Sequence, residues 1–211
     1  MAENCEEEQE GLVAQRRRVL GDDHPDTLAA MLDLADRYWT TGRLIAARKL
    51  EEQVVEGRRR QLGEHHADTL KAIGKLAVTL SAQGDFAEAR RLQEEVVAGR
   101  RTLFGEADLE TLRAINNLAG TIAAQGDLTA ARELVETVLA TSCREFGEQH
   151  PDSLTAMSNL AAILWQEGEK AEAYALQQQV VEMRRRVHGE SGEDSRAAAA
   201  VLHMMEQDVG L

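Results

Sequence analysis

Residues 114–138 read AINNLAGTIAAQGDLTAARELVETV, and the same arrangement of apolar, small and glycine residues recurs at steps of 42 residues on both sides. Glycine marks this period at two positions in the repeated unit: Gly21, Gly63, Gly105, Gly147 and Gly189, and Gly42, Gly84, Gly126 and Gly168. A constant period over the whole chain is typical of a stacked repeat array, in which each unit buries its apolar face against its neighbours.

Apolar residues within one unit follow the spacing of two amphipathic helices. Ile115, Leu118 and Ile122 lie three or four residues apart, and the same steps continue between Ala131 and Val138. The glycine between the two segments suits the end of the first helix, because a left-handed backbone costs glycine little. Each unit therefore predicts a helix A, a short turn and a longer helix B.

Alanine recurs at one position on each predicted helix. These alanines are Ala35, Ala77, Ala119 and Ala161 on helix A, and Ala47, Ala89, Ala131 and Ala173 on helix B. A larger side chain there would push the two helices apart at a cost of about 1–3 kcal/mol. Close packing of small residues agrees with a composition that is 43% apolar but only 3% aromatic.

The residue before each helix A is polar and also follows the period. Histidine fills this position three times, at His24, His66 and His150, and Asp108 replaces it in the third unit. Successive units lie too far apart for these side chains to share one metal ion, whose ligands need to be within about 2.1 Å of it. We interpret them as residues at the start of a helix and expect no metal site.

The repeated pattern resembles the tetratricopeptide repeat, in the 42-residue variety found in kinesin light chains. The resemblance rests on the sequence Asn-Asn-Leu-Ala at residues 116–119, on Gly126 and Ala131, and on the HPDTL-like entry at residues 24–28. It implies an all-α fold, a right-handed α-solenoid of stacked antiparallel helix pairs. It also implies a non-catalytic recognition scaffold, since kinesin light chains hold short acidic cargo motifs in a related groove.

The period predicts one repeat domain over residues 1–211. Its parts are an N-terminal half-unit corresponding to helix B, four repeats and a C-terminal capping helix, with Cys5 in the small-residue column and Gly210 in the turn-glycine column. The boundaries are residues 3–21, 22–63, 64–105, 106–147, 148–189 and 190–211.

Composition and charge narrow the choice of partners and location. A formal net charge of −13 argues against a nonspecific nucleic-acid partner, because phosphate contacts need a positive surface. The apolar stretches are too short to cross a bilayer and the first residues are acidic, so we expect no membrane partner and no signal peptide. The two cysteines, Cys5 and Cys143, lie in different units, which favours a reducing, cytoplasmic compartment.

Two further features of helix B have structural interpretations. Arginine runs, at residues 16–18, 58–60, 100–101 and 184–186, are expected to stabilise helix ends and to pair with acids such as Glu51, Glu52 and Glu56. The alternative is a binding stripe for an acidic partner or for a nucleic acid. Gly57 and Gly99 inside helix B predict close approach of a neighbouring backbone, with an interface as the alternative.

Helix A supplies the groove of tetratricopeptide arrays, so its ligand-facing positions are candidate binding residues. We call these positions the groove face of a helix A. In the four repeats they include cations, amides and two tryptophans that break the repetition: Lys71, Lys75, Arg113, Asn116, Asn117, Asn159, Trp39 and Trp165. Lysine and arginine would attract an acidic group, and the asparagines would hydrogen-bond a peptide backbone. The tryptophans serve either as binding anchors or as structural residues at the ends of the inner layer.

The sequence therefore predicts a protein–protein interaction scaffold that binds an extended, acidic peptide segment in its groove. The alternative is a structural or regulatory assembly module, or a sensor module, of a larger signalling system that acts through self-association or through the ends of the array. No nucleophile motif, phosphate loop or paired cysteine ligands occur in the sequence, so we expect neither an enzyme nor a cofactor.

Overall fold

The computed structural model describes residues 2–209, with side chains for residues 6–187 and 189–208. This part of the chain forms ten α-helices and no β-strand, which confirms the all-α repeat fold. The helices are α1 (Ala2–Leu20), α2 (Pro25–Thr40), α3 (Leu44–Leu62), α4 (Ala67–Ala82), α5 (Phe86–Phe104), α6 (Leu109–Ala124), α7 (Leu128–Phe146), α8 (Pro151–Glu167), α9 (Lys170–His188) and α10 (Glu193–Val209). Gly210 and the side chain of Cys5 lie outside the described residues.

The chain divides into two compact units, Met1–Leu103 and Phe104–Leu211. In the first unit, α2 and α4 are helices A, and α1, α3 and α5 are helices B. In the second unit, α6, α8 and α10 are helices A, and α7 and α9 are helices B. Helix A of each complete repeat has 16 or 17 residues and helix B has 19, so the eight residues beyond a 34-residue repeat lengthen the pair.

Helix A of each complete repeat ends in a turn that depends on glycine. Gly42, Gly84, Gly126 and Gly168 have φ angles between 78° and 93°, a region that side chains with a Cβ rarely adopt. After Tyr38, for example, Arg43 N donates to Tyr38 O at 2.7 Å across the turn, and α3 begins one residue later. The chain reverses at this point, so helices A and B pack antiparallel.

Helix A of each complete repeat also begins as the sequence predicts. Nδ1 of His24, His66 and His150 accepts a hydrogen bond from the backbone N–H two residues later, at 3.1–3.2 Å. Asp108 accepts from both Glu110 N and Thr111 N at 3.0 Å. These side chains satisfy N–H groups that a helix start leaves without a partner. The interpretation of the histidines as helix-start residues is confirmed.

Arginines of helix B bind the next helix A through its backbone. Nη1 of Arg16, Arg58 and Arg184 donates to the carbonyl oxygen ten residues later, at 2.6, 2.6 and 3.3 Å. The expected pairing with acids is only partly correct. Arg60 does pair with Glu56, but Glu52 pairs with Arg48 at 2.7 Å instead of with the arginine run. Glu51 is buried and accepts from Thr79 Oγ1 at 3.0 Å.

The two glycines inside helix B are explained by a leucine side chain. An added Cβ at Gly99 would lie 2.7 and 2.8 Å from the two Cδ atoms of Leu70, and at Gly57 it would lie 2.9 Å from Leu28 Cδ2. Both leucines are buried on helix A of the same repeat. The predicted close approach is present, but the prediction that a backbone causes it was wrong.

We expect Gly99→Ala to destabilise the protein. The new methyl group would overpack against the fully buried Leu70, at a typical cost of about 1–3 kcal/mol that exceeds the gain in helix propensity of up to about 1 kcal/mol. Gly11→Ala is the matched control, because a Cβ there meets no atom within 4 Å, and it should be neutral or stabilising. Urea unfolding of both variants measures the difference, and equal stabilisation of both would contradict this packing account.

Candidate functional site

The groove faces of α2 and α4 adjoin in the first unit. Lys75 Nζ on α4 lies 2.5 Å from Asp36 Oδ1 on α2, so this predicted binding cation already has a carboxylate partner. Lys71, one turn before Lys75, is exposed and has no hydrogen bond or ion pair with the side chains and backbone that the structure describes. Lys71 is therefore the more available of the two lysines.

Arg113 in the second unit is held more firmly than the lysines. Its Nε and Nη2 lie 2.6 and 3.0 Å from the two oxygens of Asp152 on α8, and its Nη1 lies 2.6 Å from Glu110. The hydrogen bond with Asp152 is the main cause that raises the pKa of Arg113 above its ordinary value. A two-pronged pair of this kind fixes the orientation of the guanidinium as well as its charge.

Asn116 is a buried amide with an unpartnered oxygen. Its side chain is 8% exposed, and Oδ1 has no hydrogen-bond partner in the described part of the chain. The equivalent residue of the next repeat, Ser158, donates to Gln177 Oε1 at 3.0 Å. In the third repeat the position of Gln177 is taken by Val135, which is fully buried and offers no polar atom. The missing partner of Asn116 follows from that substitution.

The other two asparagines present their amides to solvent. Asn117 is exposed on α6 and Asn159 is half-buried on α8, and neither side chain has a partner among the described residues. Gly120 follows Asn117 by three residues, and an added Cβ there would meet no atom within 4 Å. The groove faces of α6 and α8 therefore combine free hydrogen-bonding groups with open space.

The two tryptophans occupy equivalent positions but have different surroundings. Trp165 is half-buried, and Nζ of Lys170 lies 5.0 Å from the centre of its ring. Trp39 is 42% exposed and carries no such cation among the residues with described side chains. Trp165 thus contacts a cation of the chain itself, whereas Trp39 is exposed without such a contact among the described side chains.

A column of polar residues on helix B is buried, which the sequence reasoning missed. Glu51 is 2% exposed, Gln93 is 4% exposed and Gln177 is completely buried. Burial is the main cause that raises the pKa of Glu51 above that of an ordinary carboxyl. The available signal was a polar residue, in three of the four repeats, at a fixed place in the apolar stripe of helix B.

The predicted site residues fall into one group in each unit. Trp39, Lys71 and Lys75 belong to the first unit, and Arg113, Asn116, Asn117, Asn159 and Trp165 belong to the second. The sequence reasoning did not predict the carboxylate partners of Lys75 and Arg113, which are Asp36 and Asp152. Each partner lies 39 residues from its cation, which is three residues less than one period.

In the part of the chain described, no group of three or more His, Cys, Asp and Glu side chains could hold a metal ion. No described helix is long and apolar enough to cross a membrane.

Comparison with known proteins identifies the repeat. A family model described as tetratricopeptide repeat matches residues 2–60 and 110–186, and a second model with the same description matches residues 69–110. The chain belongs to the tetratricopeptide repeat family. A search of curated proteins finds no match.

Solved structures place this tetratricopeptide protein among those of the kinesin-light-chain type. Two structures of nearly identical TPR-like repeats from a kinesin-light-chain-like protein of Podosopora anserina are each 30% identical, with TM-scores of 0.75 and 0.72 and 88% of each chain covered. BtubC (BKLC) from P. vanneervenii is 19% identical, with a TM-score of 0.76, covering 100% of this chain and 85% of its own. A Rap protein complexed with Competence and Sporulation Factor is 11% identical, with a TM-score of 0.64, covering 97% of this chain and 70% of its own. The last two show the fold alone.

We expect Gly74→Ser to stabilise the first unit. Gln93 Oε1 is buried without a partner, and Gly74 holds the position from which Ser158 donates to Gln177 in the fourth repeat. A hydroxyl there would supply the missing donor, and with the gain in helix propensity the free energy of unfolding should rise by about 1 kcal/mol.

The control for this change is Gly74→Ala, which adds a better helix former without a hydroxyl. Alanine favours a helix more than serine does, so Ser can match or exceed Ala only through the hydrogen bond. Urea unfolding compares the free energy of unfolding of the two variants. A serine variant clearly less stable than the alanine variant would show that no bond to Gln93 forms.

Proposed function

We propose that this protein is a non-catalytic scaffold that binds an extended, acidic peptide segment along the groove faces of its helices A. The observation that carries the proposal is a set of exposed or half-buried groups on these faces with no partner in the described chain. The set consists of Lys71, Asn117 and Asn159. The two asparagines lie one repeat apart on α6 and α8, a spacing that suits a ligand extending across successive repeats.

Selectivity for an acidic ligand is assigned first to Lys71. Its ammonium group is exposed and unpaired within the described chain, so a ligand carboxylate meets it without displacing a carboxylate of the protein. Lys75 comes second, because Asp36 is about half exposed and an exposed ion pair contributes only about 0.2–1 kcal/mol. Arg113 comes last, since Asp152 and Glu110 already bind three of its nitrogens.

Backbone recognition is assigned to the amides. Asn117 and Asn159 each offer one donor and one acceptor to a peptide group, which gives affinity without a requirement for particular side chains. Asn116 offers its unpartnered oxygen at a deeper level of the same face. The open space at Gly120 leaves room for a ligand side chain between these contacts.

A charge reversal at Lys71 tests the proposal. We expect Lys71→Glu to weaken binding of a fluorescent poly-glutamate-containing peptide at least tenfold at low ionic strength, because attraction becomes repulsion. Asp36→Asn should strengthen binding of the same peptide by freeing Lys75. Fluorescence anisotropy measures both effects, and added salt should reduce them.

Lys49→Glu is the matched control, because it makes the same charge change at an exposed position on α3, a helix B. Equal weakening by Lys49→Glu and Lys71→Glu would mean that net charge alone governs binding. Absence of peptide binding to the wild-type protein, tested over a set of acidic sequences, would overturn the proposal.

Self-association is the second candidate, and exposed apolar side chains favour it. At the C-terminal ends of the helices B of the first unit, Val19 is 66% exposed and Leu20, Leu62 and Leu103 are 42–46% exposed. Exposed apolar side chains support contacts between protein copies where they lie together in a patch. Light scattering separates the candidates, because assembly requires a molar mass that rises with concentration. A constant monomer mass would leave peptide binding as the function.

The proposed activity needs no cofactor and no bond-making step. Its cytoplasmic setting rests on the cysteines, which the sequence places in different repeats instead of in a disulfide framework. Nucleic acid and membranes are not among the proposed ligands, because the net charge is strongly negative.

A further inference from the structure

The fourth repeat shows what the tryptophan position can bind. Lys170 Nζ lies 5.0 Å from the ring centre of Trp165, and the same ammonium group lies 2.7 Å from Asp208 Oδ2 on α10. A cation above an indole ring is attracted by the negative face of the ring, and the carboxylate adds a second favourable contact. The chain thus fills this position with a cation of its own.

The first repeat has the same ring without the cation. The residue equivalent to Lys170 is Leu44, which has no charge, and Trp39 is 42% exposed. The nearby Arg43 is committed elsewhere, since its guanidinium lies 4.2 Å from the ring centre of Tyr38 and 3.0 Å from Glu6. No described side chain places a cation over Trp39.

A carboxylate accompanies Trp39 on the same face. Asp36 precedes it by three residues, a spacing that places two side chains side by side on a helix. Oδ1 of Asp36 binds Lys75, whereas Oδ2 has no partner among the described residues. Asp33, one turn earlier, is exposed and also unpaired within the described chain. The first repeat therefore combines an open aromatic ring with negative charge.

We propose that Trp39 and Asp36 form a binding site for a lysine or arginine side chain of the bound peptide. The ligand cation takes the position over Trp39 that Lys170 takes over Trp165. This inference rests on the proposed function and specifies its ligand further, as a peptide with a basic residue in addition to its acidic one.

The helix geometry sets the spacing of the two ligand charges. Lys71 is equivalent to Ala29, which precedes Trp39 by ten residues, or about 15 Å along the helix axis. Neighbouring helices lie about 10 Å apart, so Lys71 and Trp39 are separated by about 18 Å on the diagonal. An extended chain covers that distance in about five residues. The basic residue is thus expected about five positions from the acidic one.

Paired peptide probes test this site. Each pair shares a glycine–serine background with one glutamate cluster, and carries either arginine or its neutral isostere citrulline about five residues away, in both chain orders. We expect wild-type protein to bind the arginine peptide of one order about two- to fivefold more tightly than its citrulline partner, measured by anisotropy. The difference should persist partly in Trp39→Phe and disappear in Trp39→Leu.

Leu44→Lys provides an independent control that keeps Trp39 in place. It installs the chain's own cation at the position of Lys170, where it would occupy the ring face and repel the ligand arginine, so the preference for arginine should disappear. Circular dichroism confirms that each variant remains helical. A preference that survives in Trp39→Leu, or equal binding of both peptides to wild-type protein, overturns the inference. Failure of both peptides to bind refutes the proposed function itself, whereas binding of both without an arginine preference refutes only this site.

Discussion

Close packing at the small residues of helix A and helix B is the constraint on which the rest of the structure depends. All eight alanines of the two repeated columns have no exposed surface: Ala35, Ala77, Ala119, Ala161, Ala47, Ala89, Ala131 and Ala173. Side chains this small let the two helices of a repeat approach closely, and the larger leucines then fill the space around them. The same demand for space explains Gly99, where even a methyl group would collide with Leu70.

Because packing occupies one side of each helix A, the opposite side is free to vary from repeat to repeat. Part of this face is used within the chain, by the ion pairs of Lys75 with Asp36 and of Arg113 with Asp152. These pairs reduce the positive charge that the groove faces present, so a ligand acid competes with acids of the protein. The charge of a groove residue is therefore a poor measure of its availability until its neighbours are known.

The buried polar contacts beneath that surface differ from repeat to repeat. In the fourth repeat, Gln177 Oε1 accepts a hydrogen bond from Ser158 and Gln177 Nε2 donates to Ala198 O at 2.9 Å, so both polar atoms of this amide have partners. The second repeat leaves Gln93 Oε1 without a donor, and the third leaves Asn116 Oδ1 without one. An unpartnered buried polar atom reduces the stability of the protein. Near a binding face, a new hydrogen bond to such an atom, from a ligand or from an added hydroxyl, would contribute most to the free energy of binding or of unfolding.

Sequence alone determined the helices, their glycine turns and their capping residues, because these depend on spacing within a few residues of the chain. The role of His24 and its equivalents followed from the period without any knowledge of distances between helices. Tertiary structure decided which candidate residues are available. Equivalence along the sequence shows that Leu44 stands where the fourth repeat has Lys170, but not that Lys170 lies over Trp165. Nor does it show that Lys75 has a partner and Lys71 has none in the described chain, because these contacts involve a neighbouring helix. Such contacts depend on distances through space, and a period in the sequence predicts which residues are equivalent but not which of them are already bound.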